Sequence, residues 1–326
     1  MVNIMKKLLI VFILFIIPVN IYAYSDYVYR GGNTIGIEIN TDGILIVGFY
    51  PIDGKYNKGE LKNGDYITNI EGISINKVSE LRDYLSKYTN KDEINITIRR
   101  NNKKIKTKLK LVYKDNVYKT GLYVKDNITG IGTLTYVDPE SNIYGALGHE
   151  IIESTSGNLI EIKDGDIFRN YITSINKSNV GTAGSKNAKY YNQDIYGSIL
   201  SNSINGIFGI YKSDLDNLEL LRVGTKKDIK IGPASIYTVI DGEKIEEYKI
   251  DITSINETSN IKNITFKITD EYLINKTGGV IQGMSGSPIV QNNMLVGVIT
   301  HVIVDNPATG YGLFITKMLE EGDKLK

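Results

Sequence analysis

Hydrophobic and polar positions alternate in different ways along the chain, and each pattern predicts a different element. Over residues 35–39 isoleucine occupies every second position, which is the period-2 pattern of a half-buried β-strand. Over residues 77–88 the apolar side chains recur at helical spacing and predict an amphipathic helix. Residues 93–112 alternate again and predict two strands joined at a turn. The first part of the chain is therefore expected to form a small mixed α+β domain.

From about residue 121 onward the pattern is typical of an all-β protein. Short apolar runs such as residues 132–137, 234–240 and 261–268 are separated by clusters of Gly, Asn, Asp and Ser. A long helical period appears only at residues 317–326. Many short strands with frequent turns predict a β-barrel or a β-sandwich, so the expected fold class is mainly β.

The first 23 residues follow a different order. Two lysines precede an uninterrupted apolar run over residues 8–17, and the small residue Ala23 follows. Charged, apolar and small residues in this order are typical of a secretory signal. The run is shorter than the roughly 20 apolar residues of a membrane span, although its extension to residue 24 leaves an uncleaved anchor as an alternative. We expect residues 1–23 to be a signal peptide or membrane anchor and the protein to be exported.

The composition limits the chemistry that the chain can carry. Its 326 residues correspond to about two domains. A net charge of +1 gives no reason to expect a nucleic-acid partner. Cysteine is absent, which excludes thiol nucleophiles, disulfides and thiolate metal sites. The histidines are His149 and His301, so a mechanism that needs an imidazole has two candidates.

A candidate nucleophile, Ser285, lies in the C-terminal third of the chain. It stands between Gly283 and Gly286, and the apolar pattern after it predicts a β-hairpin. A serine hydroxyl needs a base, an exposed turn and backbone donors for the oxyanion. Because glycine permits unusual dihedral angles, we predict that the N–H groups of Gly283 and Ser285 form the oxyanion hole. Ser287 is the rival nucleophile, but it precedes a proline and lacks a following glycine, so we expect a structural role.

The base for this serine is one of the two histidines. His149 follows small residues, as expected where a loop approaches another segment closely. His301 lies just after the predicted hairpin, on a strand expected to border the cleft. The third member of such a site is a buried carboxylate that holds the histidine in one tautomer. The residues alone leave Asp251, Asp270 and Asp305 as alternatives for it.

The segment before the all-β region resembles a PDZ domain. Residues 61–67, followed by residues 71–73, match the recurrent core of that family, and the helix predicted next lies where its groove-lining helix belongs. The resemblance implies that a peptide adds as a strand beside residues 35–39, with its terminal carboxylate held by backbone amides. The residues implied for this peptide site are Gly32, Asn33, Thr34, Ile35, Gly36 and Ile37. A PDZ fold that serves only for packing or regulation is the alternative.

Four longer blocks of sequence carry a second resemblance. They are residues 130–135, 144–149, 276–289 and 300–312. Together with the order of export segment, PDZ domain and peptidase domain, they closely resemble the SpoIVB peptidase family. Their nucleophile region resembles that of chymotrypsin-like serine proteases. The resemblance implies that His149 is the catalytic histidine, Ser285 the catalytic serine and Asp270 the catalytic aspartate.

The family resemblance also implies an organisation and a cellular role. A signal peptide or anchor at residues 1–23 precedes a PDZ domain at 24–115 and a chymotrypsin-like serine peptidase domain, of the double-barrel all-β type, at 116–326. Such a protein is made in the forespore and exported to the space between forespore and mother cell. There it cleaves itself, and then a membrane-embedded regulator of a metalloprotease that activates a late mother-cell sigma factor during endospore formation.

Two other functions compete with a serine endopeptidase. The first is a non-catalytic exported adapter, in which the PDZ domain binds C-terminal peptides and the β domain is a scaffold. The second is a metallohydrolase, but two histidines without cysteine leave too few nitrogen and sulfur ligands for a typical catalytic zinc site. We therefore expect no metal and no cofactor. Protein and peptide substrates, including the chain itself, are the expected partners.

Overall fold

A computed structural model describes residues 24–88, 90–216 and 218–326. The predicted signal peptide or anchor at residues 1–23 lies outside the described residues. Within the described ranges, no helix is both long enough and apolar enough to cross a membrane.

The chain is mainly β, as predicted. Its strands are β1 (Tyr27–Arg30), β2 (Thr34–Phe49), β3 (Tyr66–Ile70), β4 (Ile73–Ser74), β5 (Glu93–Arg100), β6 (Lys103–Lys110), β7 (Val112–Lys114), β8 (Val117–Lys119), β9 (Leu122–Val137), β10 (Ile143–Ala146), β11 (Ile162–Asn176), β12 (Gly184–Ser203), β13 (Gly206–Tyr211), β14 (Glu219–Val223), β15 (Gly232–Thr238), β16 (Glu246–Ile255), β17 (Ile264–Ile268), β18 (Ile281–Gln282), β19 (Pro288–Gln291), β20 (Met294–Val302) and β21 (Thr309–Phe314). The helices are α1 (Val78–Tyr88), α2 (Glu271–Thr277) and α3 (Ile315–Gly322), followed by a 3₁₀ turn at Asp323–Leu325.

The predicted helix and hairpins are confirmed. The helix predicted over residues 77–88 is α1, and its buried Leu81 and Leu85 face a core of aliphatic side chains. The two strands predicted over residues 93–112 are β5 and β6. The hairpin predicted after Ser285 is β19–β20. Both hairpins turn on Asn-Asn pairs with positive φ, which matches the right-handed twist of the paired strands.

The PDZ-type unit is built on the second half of β2. That half pairs with β3, β3 pairs with β5, and β5 pairs with β6. Helix α1 packs on the sheet, and the enclosed core contains Ile44, Ile67 and Ile96. Asp65 is fully buried and is bound by Arg100 through Nε at 2.6 Å and Nη2 at 2.7 Å. This pairing compensates for the burial of the carboxylate.

Two closed barrels follow, each made of six strands. In the first barrel the order is β2, β9, β10, β13, β12 and β11, and β11 returns to β2. In the second barrel the order is β15, β16, β17, β21, β20 and β19, and β19 returns to β15. Each barrel encloses its own aliphatic core. Helix α3 packs between them, with Met318 and Leu319 in one cluster with side chains of both barrels.

Strands β2 and β9 are shared by the PDZ-type unit and the first barrel. In the barrel, residues 34–40 of β2 pair with residues 127–133 of β9, whereas residues 45–49 pair with 122–125 beside the PDZ-type sheet. Strand β1 pairs with β9 and β14, so it also belongs with the barrels. The predicted division at residues 24–115 and 116–326 stays a prediction, and the pairing of β2 with β9 runs across it.

The predicted peptide site at Gly32, Asn33, Thr34, Ile35, Gly36 and Ile37 is wrong. In the structure, residues 35–39 of β2 are hydrogen bonded to β9 on one side and to β11 on the other. A peptide adds as a strand only where an edge is free, so none can add here. A groove of about 800 Å³ with a mixed polar and apolar lining lies instead beside α1, between Leu81, Leu85 and the β7–β8 hairpin.

Candidate active site

A cleft of about 650 Å³ contains the predicted nucleophile and both histidines. Ser285 lies in the loop between β18 and β19, next to the second barrel. His149 follows β10 of the first barrel, and His301 lies near the end of β20. The two barrels therefore each contribute one member of the predicted serine–histidine pair to a common cavity.

Strand β9 of the first barrel holds the loop that carries Ser285. The Thr133 hydroxyl donates to the Gly283 carbonyl at 2.8 Å, and the Thr133 N–H donates to the Ser285 carbonyl at 2.9 Å. Two residues on, the Thr135 hydroxyl donates to the Gly286 carbonyl at 2.8 Å. Both threonines are fully buried. Residues 133 and 135 share one face of the strand, so a single strand fixes three carbonyls of the nucleophile loop.

Sequence reasoning missed this role of Thr133 and Thr135. The available signal was two threonines at alternate positions in the fully buried end of β9, on the opposite face from the core residue Leu134. A buried hydroxyl needs a partner, so such a pair predicts polar groups packed against it. It does not reveal which loop supplies them.

Glycine is required where the nucleophile loop touches the first barrel. Gly286 has φ +95°, and a Cβ there would lie 2.0 Å from the Thr133 carbonyl oxygen. Gly283 also has φ +95°. On the other side of the cleft, a Cβ on Gly148 would lie 2.9 Å from Val298 of β20. The small residue before His149 thus permits the close approach predicted from the sequence.

The Ser285 hydroxyl donates to the Thr300 carbonyl at 2.9 Å. Its proton therefore points at a backbone acceptor and not at an imidazole. Ser287 is fully buried, and its hydroxyl has no hydrogen-bond partner among the described residues. Because Ser287 does not reach the cleft, the structural role predicted for it agrees with its position.

His149 is held by the backbone of the next residue. Its Nδ1 lies 2.8 Å from the Glu150 carbonyl oxygen. A carbonyl oxygen can only accept, so Nδ1 carries the hydrogen and the lone pair is on Nε2. Burial lowers the pKa of His149 from its usual value, and the Glu150 carbonyl and carboxylate oppose that shift. The neutral imidazole thus has its basic nitrogen free.

His301 is the poorer base of the two histidines. Its ring centroid lies 5.0 Å from that of His149. Burial, together with the charges of His149 and Lys262, lowers the pKa of His301 to about 4. A general base works best with a pKa near the working pH. Of the two, His149 is the better candidate.

The structure does not bring Asp270 to His149. Asp270 is the N-cap of α2, where its carboxylate accepts from the Leu273 N–H at 2.9 Å and from the Lys249 N–H at 3.5 Å. It does not line the cleft, and Nδ1 of His149 is already bound to a main-chain carbonyl. The prediction that Asp270 orients the histidine is therefore wrong for this arrangement.

The family of the chain follows from a comparison with family models. The model described as SpoIVB peptidase S55 matches residues 116–319, which is more than half of the chain. The chain belongs to this family. A PDZ domain model matches residues 28–111. The protein is therefore a serine peptidase that carries a PDZ domain and acts on proteins or peptides. No curated protein matches the chain.

Solved structures give more distant likenesses. The PDZ domain of the SdrC-like protein from Listeria monocytogenes is 23% identical and has a TM-score of 0.23, covering 27% of this chain and 93% of that chain. The inactive form of the Rv3671c protease of M. tuberculosis is 14% identical and has a TM-score of 0.34. The match covers 58% of this chain and 81% of the protease. The peptidase family rests on the family match and not on these likenesses.

The arrangement supports acyl transfer once Ser285 leaves its backbone acceptor. For this step the Ser285 hydroxyl must turn away from the Thr300 carbonyl and donate its hydrogen bond to a base. His149 lines the same cleft, and its Nε2 is available to accept that bond. The carbonyls of Gly283 and Ser285 are fixed by Thr133. The oxyanion hole at the Gly283 and Ser285 N–H groups stays a prediction.

Gly286→Ala is expected to displace the nucleophile loop, because its Cβ would lie 2.0 Å from the Thr133 carbonyl oxygen. The rate at which a fluorophosphonate labels Ser285 should fall by about a hundredfold or more. Gly72→Ala is the matched control, since Gly72 has a similar φ of +89° but nothing within 4 Å. The control should lose about 1–2 kcal/mol of stability and keep its labelling rate. Equal labelling by both variants would contradict the close contact.

Asp270→Asn is expected to keep the labelling rate within about threefold, because asparagine caps a helix as well as aspartate does. Asp270→Ala should lower the free energy of unfolding by about 1 kcal/mol through loss of the cap. Loss of a triad aspartate instead costs about 10⁴-fold in rate. A loss of that size in Asp270→Asn, with unchanged thermal unfolding, would show that Asp270 orients the base.

Proposed function

We propose that the protein is an exported serine endopeptidase of endospore formation. It cleaves itself and then a membrane-embedded regulator of a metalloprotease, in the cascade that activates a late mother-cell sigma factor. Membership of the SpoIVB peptidase S55 family supports this role. The observation that carries the chemistry is a cleft lined both by Ser285 of one barrel and by His149 of the other.

In the proposed reaction His149 Nε2 accepts the proton of Ser285, whose oxygen attacks the substrate carbonyl. His149 then gives that proton to the leaving amine, and the acyl-enzyme remains. Water, deprotonated by the same imidazole, releases the acyl group. The oxyanion that forms in each half-reaction accepts from the N–H groups of Gly283 and Ser285. The Glu150 carbonyl keeps the histidine in the required tautomer.

The lining of the cleft points to aliphatic substrate side chains. Leu147 and Ile151 line it from the first barrel, and Val280, Ile281 and Val302 line it from the opposite side. Glu150 is the one carboxylate in the lining, and neither lysine nor arginine lines it among the described residues. An acidic substrate side chain would lose its hydration there without gaining a partner, and a basic one would meet only the Glu150 carboxylate.

The proposed place of action rests on the pattern of residues 1–23. Two lysines, an apolar run and Ala23 support export across the forespore inner membrane. The proposed compartment is the space between forespore and mother cell, with or without an N-terminal anchor. The groove beside α1 is the proposed place for a peptide ligand of the PDZ domain.

The full chain with Ser285→Ala is expected to lose both self-cleavage and fluorophosphonate labelling, because its nucleophile is gone. Ser287→Ala is the matched control two residues away, and it should keep both, since its hydroxyl is buried and does not enter the cleft. His149→Gln should lower the labelling rate by about 10³-fold or more, and His301→Gln far less. Wild-type protein that neither labels nor self-cleaves would instead favour the PDZ adapter.

A peptide library should show a preference for Val, Ile or Leu near the cleaved bond. Replacement of that side chain by Asp or Lys is expected to lower kcat/KM by about tenfold or more, because the apolar cleft cannot solvate a charge. Mass spectrometry of the products gives the cleaved bonds. Cleavage that follows acidic or basic residues would contradict the aliphatic preference.

A further inference from the structure

The interior behind the nucleophile loop contains a lysine. Lys186 of β12 is only 4% exposed. Lysine is almost never buried to this extent without a carboxylate partner, because burial removes the hydration of its ammonium. The acid–base reaction described above does not use this side chain.

Lys186 contacts the nucleophile loop through its aliphatic stem. A Cβ on Gly283 would lie 2.9 Å from Cδ and 3.1 Å from Cγ of Lys186, so the stem lies directly against the backbone of Gly283. The preceding residue of β12, Ser185, pairs with Gln282 of β18. The lysine thus stands immediately behind the residue predicted to supply one oxyanion donor.

The amine of Lys186 reaches the second barrel. Its Nζ lies 3.0 Å from the hydroxyl of Thr238, which is fully buried at the end of β15. Strand β12 belongs to the first barrel and β15 to the second. The contact therefore joins the barrels that carry His149 and Ser285.

We propose that Lys186 is a positioning residue of the active site, whose stem against Gly283 and amine on Thr238 fix the nucleophile loop relative to the first barrel. The inference rests on the proposed catalytic function, because it concerns the reactivity of Ser285. Lys186 itself does not line the cleft and does not touch the reacting atoms.

The neutral amine is the form that suits this position. Burial lowers the pKa of the Lys186 ammonium to about 7, and no charged side chain contributes to that shift. An ammonium has three donors, whereas the single acceptor that it meets in the described chain is the Thr238 hydroxyl. Protonation thus leaves a buried charge poorly satisfied and weakens the contact between the barrels.

The pH dependence of Ser285 labelling should therefore have two steps. Labelling should fall first as the pH drops through about 7, where Lys186 takes up its proton. It should fall again below pH 6.5, where His149 takes up its own. In Lys186→Met, which keeps an apolar stem as far as Cε and removes the amine, the upper step should vanish and the labelling rate above it should be about tenfold or more lower.

Thermal unfolding separates positioning from folding. The Lys186 pKa is lower in the folded chain than its usual 10.5, so protonation favours the unfolded chain below pH 10.5. Lys186→Met removes that penalty and should raise the unfolding temperature, most at pH 7 and below and least near pH 10.5. A variant that is more stable but less reactive is the expected result.

Two variants of Thr238 serve as matched controls. Thr238→Ser keeps the hydroxyl and should retain the wild-type labelling rate and its upper pH step. Thr238→Val has the same shape without an acceptor and should lower the rate as Lys186→Met does. Wild-type labelling and an unchanged pH profile in Lys186→Met would overturn the proposal. A wild-type protein that never labels would instead contradict the catalytic function. The unfolding temperatures of Lys186→Met would still test the burial of the amine, because they do not depend on catalysis.

Discussion

The active site depends on hydrogen bonds between one strand of the first barrel and one loop of the second. Thr133 and Thr135 on β9 bind the carbonyls of Gly283, Ser285 and Gly286. These bonds are fully buried, so water does not compete for them. They fix the position of the proposed nucleophile Ser285 relative to His149, which follows β10 of the same barrel. The relative position of Ser285 and His149 thus depends on the contact between the two barrels.

The same strand gives the PDZ-type unit a direct connection to the site. Strand β9 begins beside the PDZ-type sheet at Leu122 and ends in the first barrel at Val137. It passes the cleft at Gly130 and Ile131 before it reaches Thr133. A peptidase and a PDZ domain joined by a flexible linker would move independently. Here they share the long strands β2 and β9, so one strand both borders the PDZ-type sheet and binds the loop that carries Ser285.

Local patterns predicted the parts of the fold and site that local chemistry determines. Helical spacing predicted α1, alternation predicted β5 and β6, and the glycines around Ser285 predicted a tight turn before a hairpin. The same local patterns could not predict contacts between segments that are far apart in the sequence. The alternation over residues 35–39 predicted a strand but not that β9 and β11 cover both its edges. Asp270 fits an N-cap as well as a catalytic carboxylate, and only the fold separates these roles.

The Glu150 carbonyl and β9 together position the proposed pair of His149 and Ser285. A crystal structure of the protein phosphonylated on Ser285 tests it most directly. In that structure we expect His149 Nδ1 to stay on the Glu150 carbonyl, Nε2 to face the phosphonyl group, and both β9 threonines to keep their bonds to the loop. A structure in which His149 Nδ1 is bound to the Asp270 carboxylate, with the loop detached from β9, would contradict it.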